Sequence, residues 1–269
     1  MPSKRSIEAA KRKRRQRNKI ILFLVEGKSE INALETAVSA TCDSIDPSII
    51  TFFLMMHDKD RRSGEVSVGG DITSKYGVDD SNVEEMIDKL FFTPFFTTNL
   101  FCYPRDISRV VQIVDTDGAF APDSCIVEST EATHVQYRID EIATCRPDRI
   151  AERNARKRAI LGHLADIQKI RVQGKLRPYS VYFFSANLDH YLYGEPNLSG
   201  QLKTFRADQF SMECDMRPSL FYDTLQADTA YCGCSYEDSW RQIQQDTNSL
   251  ERHSNLGLLL KELETEYSA

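Results

Sequence analysis

Short apolar runs that end in acidic or small polar residues constrain this chain most. Ile20-Ile-Leu-Phe-Leu-Val25 stops at Glu26-Gly27, Ser108-Arg-Val-Val-Gln-Ile-Val-Asp115 runs into Thr116-Asp117-Gly118, and Ser180-Val-Tyr-Phe-Phe-Ser185 leads into Ala186-Asn187. Runs of this length and β-branched content, without polar alternation, are strands buried on both faces, the kind that parallel sheets contain. Ile49–Met56 is a fourth. After the first run, Ile31, Leu34, Ala37 and Val38 recur at helical spacing from Ser29 onward. Strands alternating with helices predict an α/β fold, a mainly parallel sheet flanked by helices.

The segments between are less regular. Residues 57–80, with Gly69-Gly70-Asp71, read as an exposed irregular excursion, and residues 81–92 as a helix with Val83, Met86, Ile87 and Leu90 on one side. Phe91–Tyr103 is either a further strand or a packed loop, with Pro94 and Pro104 as breakers. Residues 138–170 predict one or two surface helices, and Leu188–Tyr193 the start of another. Beyond residue 194 only short helical segments appear, the last being the leucine-rich Asn255–Tyr267, with Trp240 as a core anchor. The expected organisation is a basic arm over 1–18, an α/β domain over 19–194 and a helical C-terminal region over 195–269.

Charge is strongly polarised. Residues 1–19 carry nine Lys and Arg, among them Arg12, Lys13, Arg14, Arg15 and Arg17, against Glu8 alone, which is net +8 within a chain of net −6 and leaves −14 for the remainder. A basic arm on an acidic body is expected to bind phosphate backbones by counterion release. Hydrophobic content of 41% supports an ordinary core, and no apolar run is long enough for a membrane span. The start Met-Pro-Ser-Lys-Arg lacks an apolar stretch behind it, and seven scattered cysteines fit reduced thiols, so a cytoplasmic location is expected. Cys232-Gly-Cys234, with Cys214 upstream, lacks the second tight pair that structural zinc uses.

In open α/β sheets ligands bind beyond the carboxyl ends of the strands. Two of those ends are acidic here: Glu26 follows one strand, and Asp115 with Asp117 closes another. Residues i and i+2 of an extended backbone point to one side, so both aspartates are expected to face one ligand. Taken singly, Glu26 reads as a carboxylate at a helix N-terminus, and Asp115-Thr-Asp117 as a turn or cap. Together they repel unless a cation neutralises them, and Mg2+ or Mn2+, held by one or two carboxylates plus substrate phosphate, suits such a group.

Val25-Glu26-Gly27-Lys28-Ser29-Glu30 after one strand and Val114-Asp115-Thr116-Asp117-Gly118 after another resemble the Toprim signature. That domain is shared by topoisomerases, primases, small RNA-maturing nucleases and OLD-family nucleases. The resemblance implies a Toprim-like sheet over roughly residues 19–190, with Glu26, Asp115 and Asp117 as metal ligands and Glu30, one helical turn on, as a further catalytic acid. The order of motifs, with Asn187-Leu-Asp-His190 after the last strand, is also similar to the RloB-like and PARIS-associated Toprim nucleases of bacterial anti-phage loci.

This implies a metal-dependent nuclease cutting DNA or RNA, tRNA included, in antiviral defence, with an ATPase partner by analogy. Lys28 would contact phosphate or sit exposed on the first helical turn, and Asp189 and His190 read as surface or capping residues, with an auxiliary acid as the alternative for Asp189. The leucine-rich last helix would serve a core or a homo-oligomer interface. Topoisomerase activity is not expected at this size, which leaves no room for strand-passage domains. Two rivals stand beside the nuclease. Ile113-Val-Asp-Thr-Asp-Gly118 also resembles the first motif of haloacid-dehalogenase-type phosphatases, although their later paired-aspartate strand is missing. A non-catalytic nucleic-acid-binding protein would use the arm alone.

Overall fold

The computed structural model describes residues 19–59, 65–231 and 233–267. The basic stretch with Arg12, Lys13, Arg14, Arg15 and Arg17, and also Cys232, lies outside the described residues.

The chain runs β1 (Ile20–Leu24), α1 (Lys28–Ile45), β2 (Ile50–Leu54), β3 (His57–Lys59), β4 (Val66–Val68), α2 (Val83–Ile87), α3 (Thr93–Thr98), β5 (Ile107–Asp115) and β6 (Ile126–Glu128). It continues through β7 (Gln136–Tyr137), β8 (Ile142–Thr144), α4 (Pro147–Asp166), β9 (Lys169–Val172), β10 (Lys175–Phe184), α5 (Leu188–Tyr193), α6 (Gly200–Met216), α7 (Leu220–Ala227), α8 (Tyr236–Gln242) and α9 (Leu256–Tyr267). The main sheet has the order β2-β1-β5-β10-β9. Its first four strands are parallel, and β9 pairs antiparallel with the start of β10. A mixed α/β architecture with a mostly parallel central sheet flanked by helices is therefore what the apolar runs build. Among the described residues no helix is long and apolar enough to cross a membrane.

Both faces of the sheet are covered, which is why its strands carry no polar alternation. Ile21, Phe23, Val111, Ile113, Tyr182 and Phe184 pack with Leu34 and Val38 of α1 and with Phe210, Phe221, Leu259 and Leu263 of the C-terminal helices. On the other face Leu22, Leu24, Val110, Val114, Val181 and Phe183 pack with Ile160, Leu161 and Leu164 of α4 and with Trp240. Trp240 meets Phe183 edge-on at 5.0 Å between ring centroids, so it anchors the C-terminal region as its sequence position suggested.

That region also finishes the sheet. Strand β9 covers only Lys175–Pro178, which leaves later backbone groups of β10 without a neighbouring strand. An open edge must be paired or covered. Tyr236 Oη accepts from Val181 N (3.2 Å) and donates to its carbonyl (2.9 Å), while Phe183 N donates to Asn255 Oδ1 (2.8 Å) and Ser254 Oγ to Phe183 O (2.8 Å). Ser185 N and Ala186 N donate to the carbonyls of His253 and Ser249, each at 2.8 Å. Side chains and irregular backbone thus do the work of a sixth strand.

Three expectations need correction. Phe91–Tyr103 is neither strand nor loop at its start: a π-turn at Asp88–Phe92 runs into α3, and Pro94 lies within that continuous helical run instead of breaking it. Residues 138–170 hold one helix, α4; Ile142–Thr144 belongs to a small sheet of order β6-β8-β7, and Lys169–Val172 is β9. A two-residue turn, Gln173-Gly174, with φ of 47° and 78°, joins β9 to β10. Positive φ at both positions is the hairpin-turn geometry, and Gln-Gly is a weaker sequence signal for it than Asn-Gly. The excursion over 57–80 is only partly exposed: it holds the β3–β4 hairpin, and its later part folds back so that Gly70 N donates to Glu26 O at 2.6 Å.

Gly118 closes the turn after β5 at φ 65°, and a Cβ placed there would lie 2.4 Å from Leu250 Cδ2 and 3.0 Å from Ile142 Cδ1. Gly118→Ala combines a left-handed backbone with overpacking against the C-terminal region. We expect a loss of about 1–3 kcal/mol, read as a lower denaturant midpoint at unchanged slope.

Candidate active site

β1 and β5 are adjacent and parallel, so their carboxyl ends emerge side by side. Asp115 is the last residue of β5, and its backbone N–H donates to Glu26 Oε1 at 3.2 Å. Asp115 Oδ1 in turn accepts from Leu188 N (2.9 Å) at the start of α5, so the acid is held by the helix that follows β10. Asp117 reaches the same place by a different route from the one expected. Its φ of 52° is left-handed, not extended, and Thr116 between the two acids is buried with its hydroxyl on Ser249 O (3.1 Å). The i, i+2 rule for strands therefore does not operate here. A turn delivers Asp117 instead.

The sequence reading missed the cation of this group. Lys157 of α4 is wholly buried, and its Nζ donates to Asp117 Oδ2 (2.7 Å) and Asp71 Oδ2 (3.0 Å). Asp71, which begins the turn after Gly69-Gly70, also accepts from Thr73 N (2.8 Å) and Ser74 Oγ (2.8 Å). Tyr137 Oη donates to Asp117 Oδ1 at 3.2 Å, and Arg153 donates to both Tyr137 Oη (3.0 Å) and Asp117 O (2.9 Å). On the far side Lys203 of α6 pairs with buried Asp189 at 2.7 Å, so Asp189 is a buried ion-pair partner and not a surface or capping residue. The cap of α5 is Asn187, which accepts from His190 N.

A signal for Lys157 does exist in the sequence. Ile150, Asn154, Lys157, Leu161 and Leu164 recur at alternating spacings of four and three along α4, all buried. A buried charge within an apolar helical stripe must be partnered, and for Lys157 the partner is the acid group, while Asn154 accepts from Arg153.

Electrostatics divides the acids into two kinds. Burial opposes the charge on Lys157, but Asp117, Asp71 and Glu26 outweigh it and hold the ammonium charged well above its usual range. Burial likewise opposes ionisation of Asp71, yet Lys157, Thr73 and Ser74 keep its carboxyl below the ordinary value. Glu26 and Asp115 behave oppositely. Burial, then Asp71, Asp115 and Asp117, push Glu26 well up against the pull of Lys157. Burial, then Glu30 and Asp117, do the same to Asp115 against Lys157 and Lys203. Neither Glu26 nor Asp115 has an ion-pair partner among the described residues.

Compared with protein-family models, curated proteins and solved structures, the chain matches none of them. Function has to be read from the residues themselves.

Among the described residues no three carboxylate, histidine or cysteine side chains converge as a ready-made metal-ligand group. Both carboxylate oxygens of Asp117 are taken, one by Lys157 and one by Tyr137. The donor chemistry nonetheless suits a hard divalent ion at Glu26 and Asp115, neighbouring carboxylates, one half-buried and one buried, whose negative forms lack a cation of their own. Glu30 lies close enough to raise Asp115 and to help hold Lys203 charged, which places it at the rim of the same group. Lys28 is exposed on the first turn of α1.

Proposed function

We propose that this chain is a metal-dependent phosphodiester hydrolase acting on nucleic acid, with a Toprim-like centre. One observation carries the proposal: the Asp115 N–H to Glu26 hydrogen bond at 3.2 Å, which joins the acidic ends of two neighbouring parallel strands. Glu26 and Asp115 would hold Mg2+ or Mn2+, with Glu30 at the rim, while Asp117 stays engaged with Lys157 and Tyr137. Such an ion supplies polarisation of a phosphoryl oxygen and a more acidic bound water.

The chain's own residues have distinct roles around that ion. Lys157 fixes Asp117 and neutralises Asp71, so the acid brought by the excursion remains ionised. Arg153 and Tyr137 hold the backbone and carboxylate of Asp117, fixing a left-handed residue that would otherwise relax. Lys203 lowers the negative potential on the opposite side, where Asp115 and Glu30 crowd. The arrangement concentrates positive charge on each flank of two carboxylates that have none of their own, which favours a polyanionic substrate over a neutral one.

The test incubates the full chain with Mg2+ or Mn2+ and supercoiled plasmid, single-stranded DNA or tRNA. Cleavage should appear with wild type, vanish with chelator and be lost in Glu26→Gln. No product from any of these substrates, or equal product from Glu26→Gln, sinks the reading. Phosphate release from small phosphomonoesters without nucleic-acid cleavage would favour the phosphatase.

A further inference from the structure

Beside the acid group lies a cavity of about 680 Å³ whose lining includes Arg146, Arg149, Arg153 and Arg156. Arg146 immediately precedes α4 and the other three belong to its first half, at spacings of three, four and three, so they form one ridge along the helix. The lining is joined to the acid group at two points. Arg153 donates to the backbone carbonyl of Asp117, and Arg156 donates to Ser74 O (2.9 Å), the residue whose hydroxyl holds Asp71.

We infer that this groove is the track along which the sugar–phosphate backbone of a nucleic-acid strand approaches the acid group. The inference rests on the proposed nucleic-acid substrate and names the surface that binds it. Arg146 and Arg149 are exposed and have no ion-pair partner among the described residues, and the buried Nε of Arg156 has no hydrogen-bond partner. The single acid in the lining, Glu152, leaves the groove net positive on a body that is otherwise acidic. Guanidinium groups match phosphate oxygens in geometry and stay charged at any working pH.

Two features favour a polymer's backbone over a mononucleotide. From residue 146 to residue 156 the ridge spans roughly 15 Å of helix rise, more than one phosphate needs. The lining contains no Phe, Tyr or Trp, and His134 is its one ring against four arginines, so recognition rests on phosphates more than on bases. The amino end of α4, which opens into the cavity, adds backbone N–H groups of the right sign.

Arg146→Ala/Arg149→Ala in the full chain tests the track, using a fluorescein-labelled single strand in chelator so that no cleavage occurs. We expect at least about tenfold weaker binding at low salt. The slope of log K against log salt should fall by about 1.4, or roughly 0.7 per phosphate contact removed. Arg217→Ala/Arg241→Ala, at exposed positions outside the groove, should change neither quantity. Unchanged binding and slope in the groove variant, an equal loss in the control, or no binding by wild type overturns the inference.

A second readout needs no variant. Cys145 is exposed and lines the same cavity, and maleimide labelling at that residue, mapped by peptide mass, should slow several-fold when the strand is bound. An unchanged rate also overturns it. Because binding is read without metal, a protein that binds through the groove but never cuts sinks the hydrolase and leaves the track. Cleavage by the groove variant at wild-type kcat/KM does the reverse.

Discussion

Replacing Asp115 by asparagine should remove nucleic-acid cleavage and raise the melting temperature in the same protein. Loss of a proposed metal ligand is expected to lower activity by more than about 100-fold, since even residues that only support ligands contribute factors of 10–100. The stability gain follows from charge. Asp115 is buried, and burial, then the charges of Glu30 and Asp117, disfavour its ionised form. Asparagine keeps an oxygen for the Leu188 N–H that Asp115 Oδ1 accepts, and removes the repulsion. A gain of about 1 kcal/mol is the size commonly found when a destabilised functional group is neutralised.

The pH dependence has a definite sign. A carboxyl whose folded-state pKa is raised binds more protons when folded, so its ionisation weakens the fold as pH climbs from the unfolded value near 4 through the raised folded one. The advantage of Asp115→Asn should therefore be small at acid pH and full above the folded pKa. Magnesium should reverse the ranking by stabilising wild type and leaving the variant unmoved, as expected for an ion that binds only the folded acid group. Calorimetry at two pH values, with and without the ion, reads all of this. A variant no more stable than wild type at high pH would mean that the acids are not in conflict.

What the sequence disclosed and what it withheld divide along physical lines. The strands were legible because a segment buried on both faces needs apolar residues at successive positions: Ile20–Leu24 is apolar throughout, and Ile107–Asp115 has the pairs Val110-Val111 and Ile113-Val114. The pairing of Glu26 with Asp115 was legible as well, since strand ends in a parallel sheet share an edge. Asp71 was not, because its approach depends on Gly69 and Gly70 adopting φ of 88° and 106° and turning the chain back over Glu26. A Gly-Gly-Asp triplet in a polar stretch reads as a loop in any context. Lys157 was missed for a different reason. Its helix was read from apolar residues, whereas the polar interruptions of that stripe mark where the helix meets the acids. The small sheet around Ile142–Thr144 escaped because strands of two or three residues carry too little pattern to distinguish from helix.

Lys157→Met should destabilise the fold by about 3–5 kcal/mol, the range for removing one partner of a buried ion pair and leaving the other uncompensated. Methionine conserves most of the volume, so the loss is one of charge and hydrogen bonding. The lysine side chain has no exposed surface, and its two acceptors, Asp71 and Asp117, are themselves 12% and 24% exposed, so water would screen the acids left behind only in part. Asp71 supplies the sign. Its folded-state pKa is held below the ordinary value, with Lys157 the strongest of the groups that lower it, so it stabilises the fold above the unfolded value near 4 and ceases to do so as pH falls through the folded one. The gap between wild type and Lys157→Met should therefore be widest near neutrality and narrow on acidification. Adding Asp71→Asn to Lys157→Met should recover part of the loss, since one of the two orphaned charges disappears, and the cycle should give a coupling energy of about 0.5–3 kcal/mol. Chemical denaturation of the four proteins at neutral and acid pH measures each quantity. If Lys157→Met unfolds at the wild-type midpoint, the buried ammonium is not what binds the excursion at Asp71 to the turn at Asp117, and another force must hold the two acids beside Glu26.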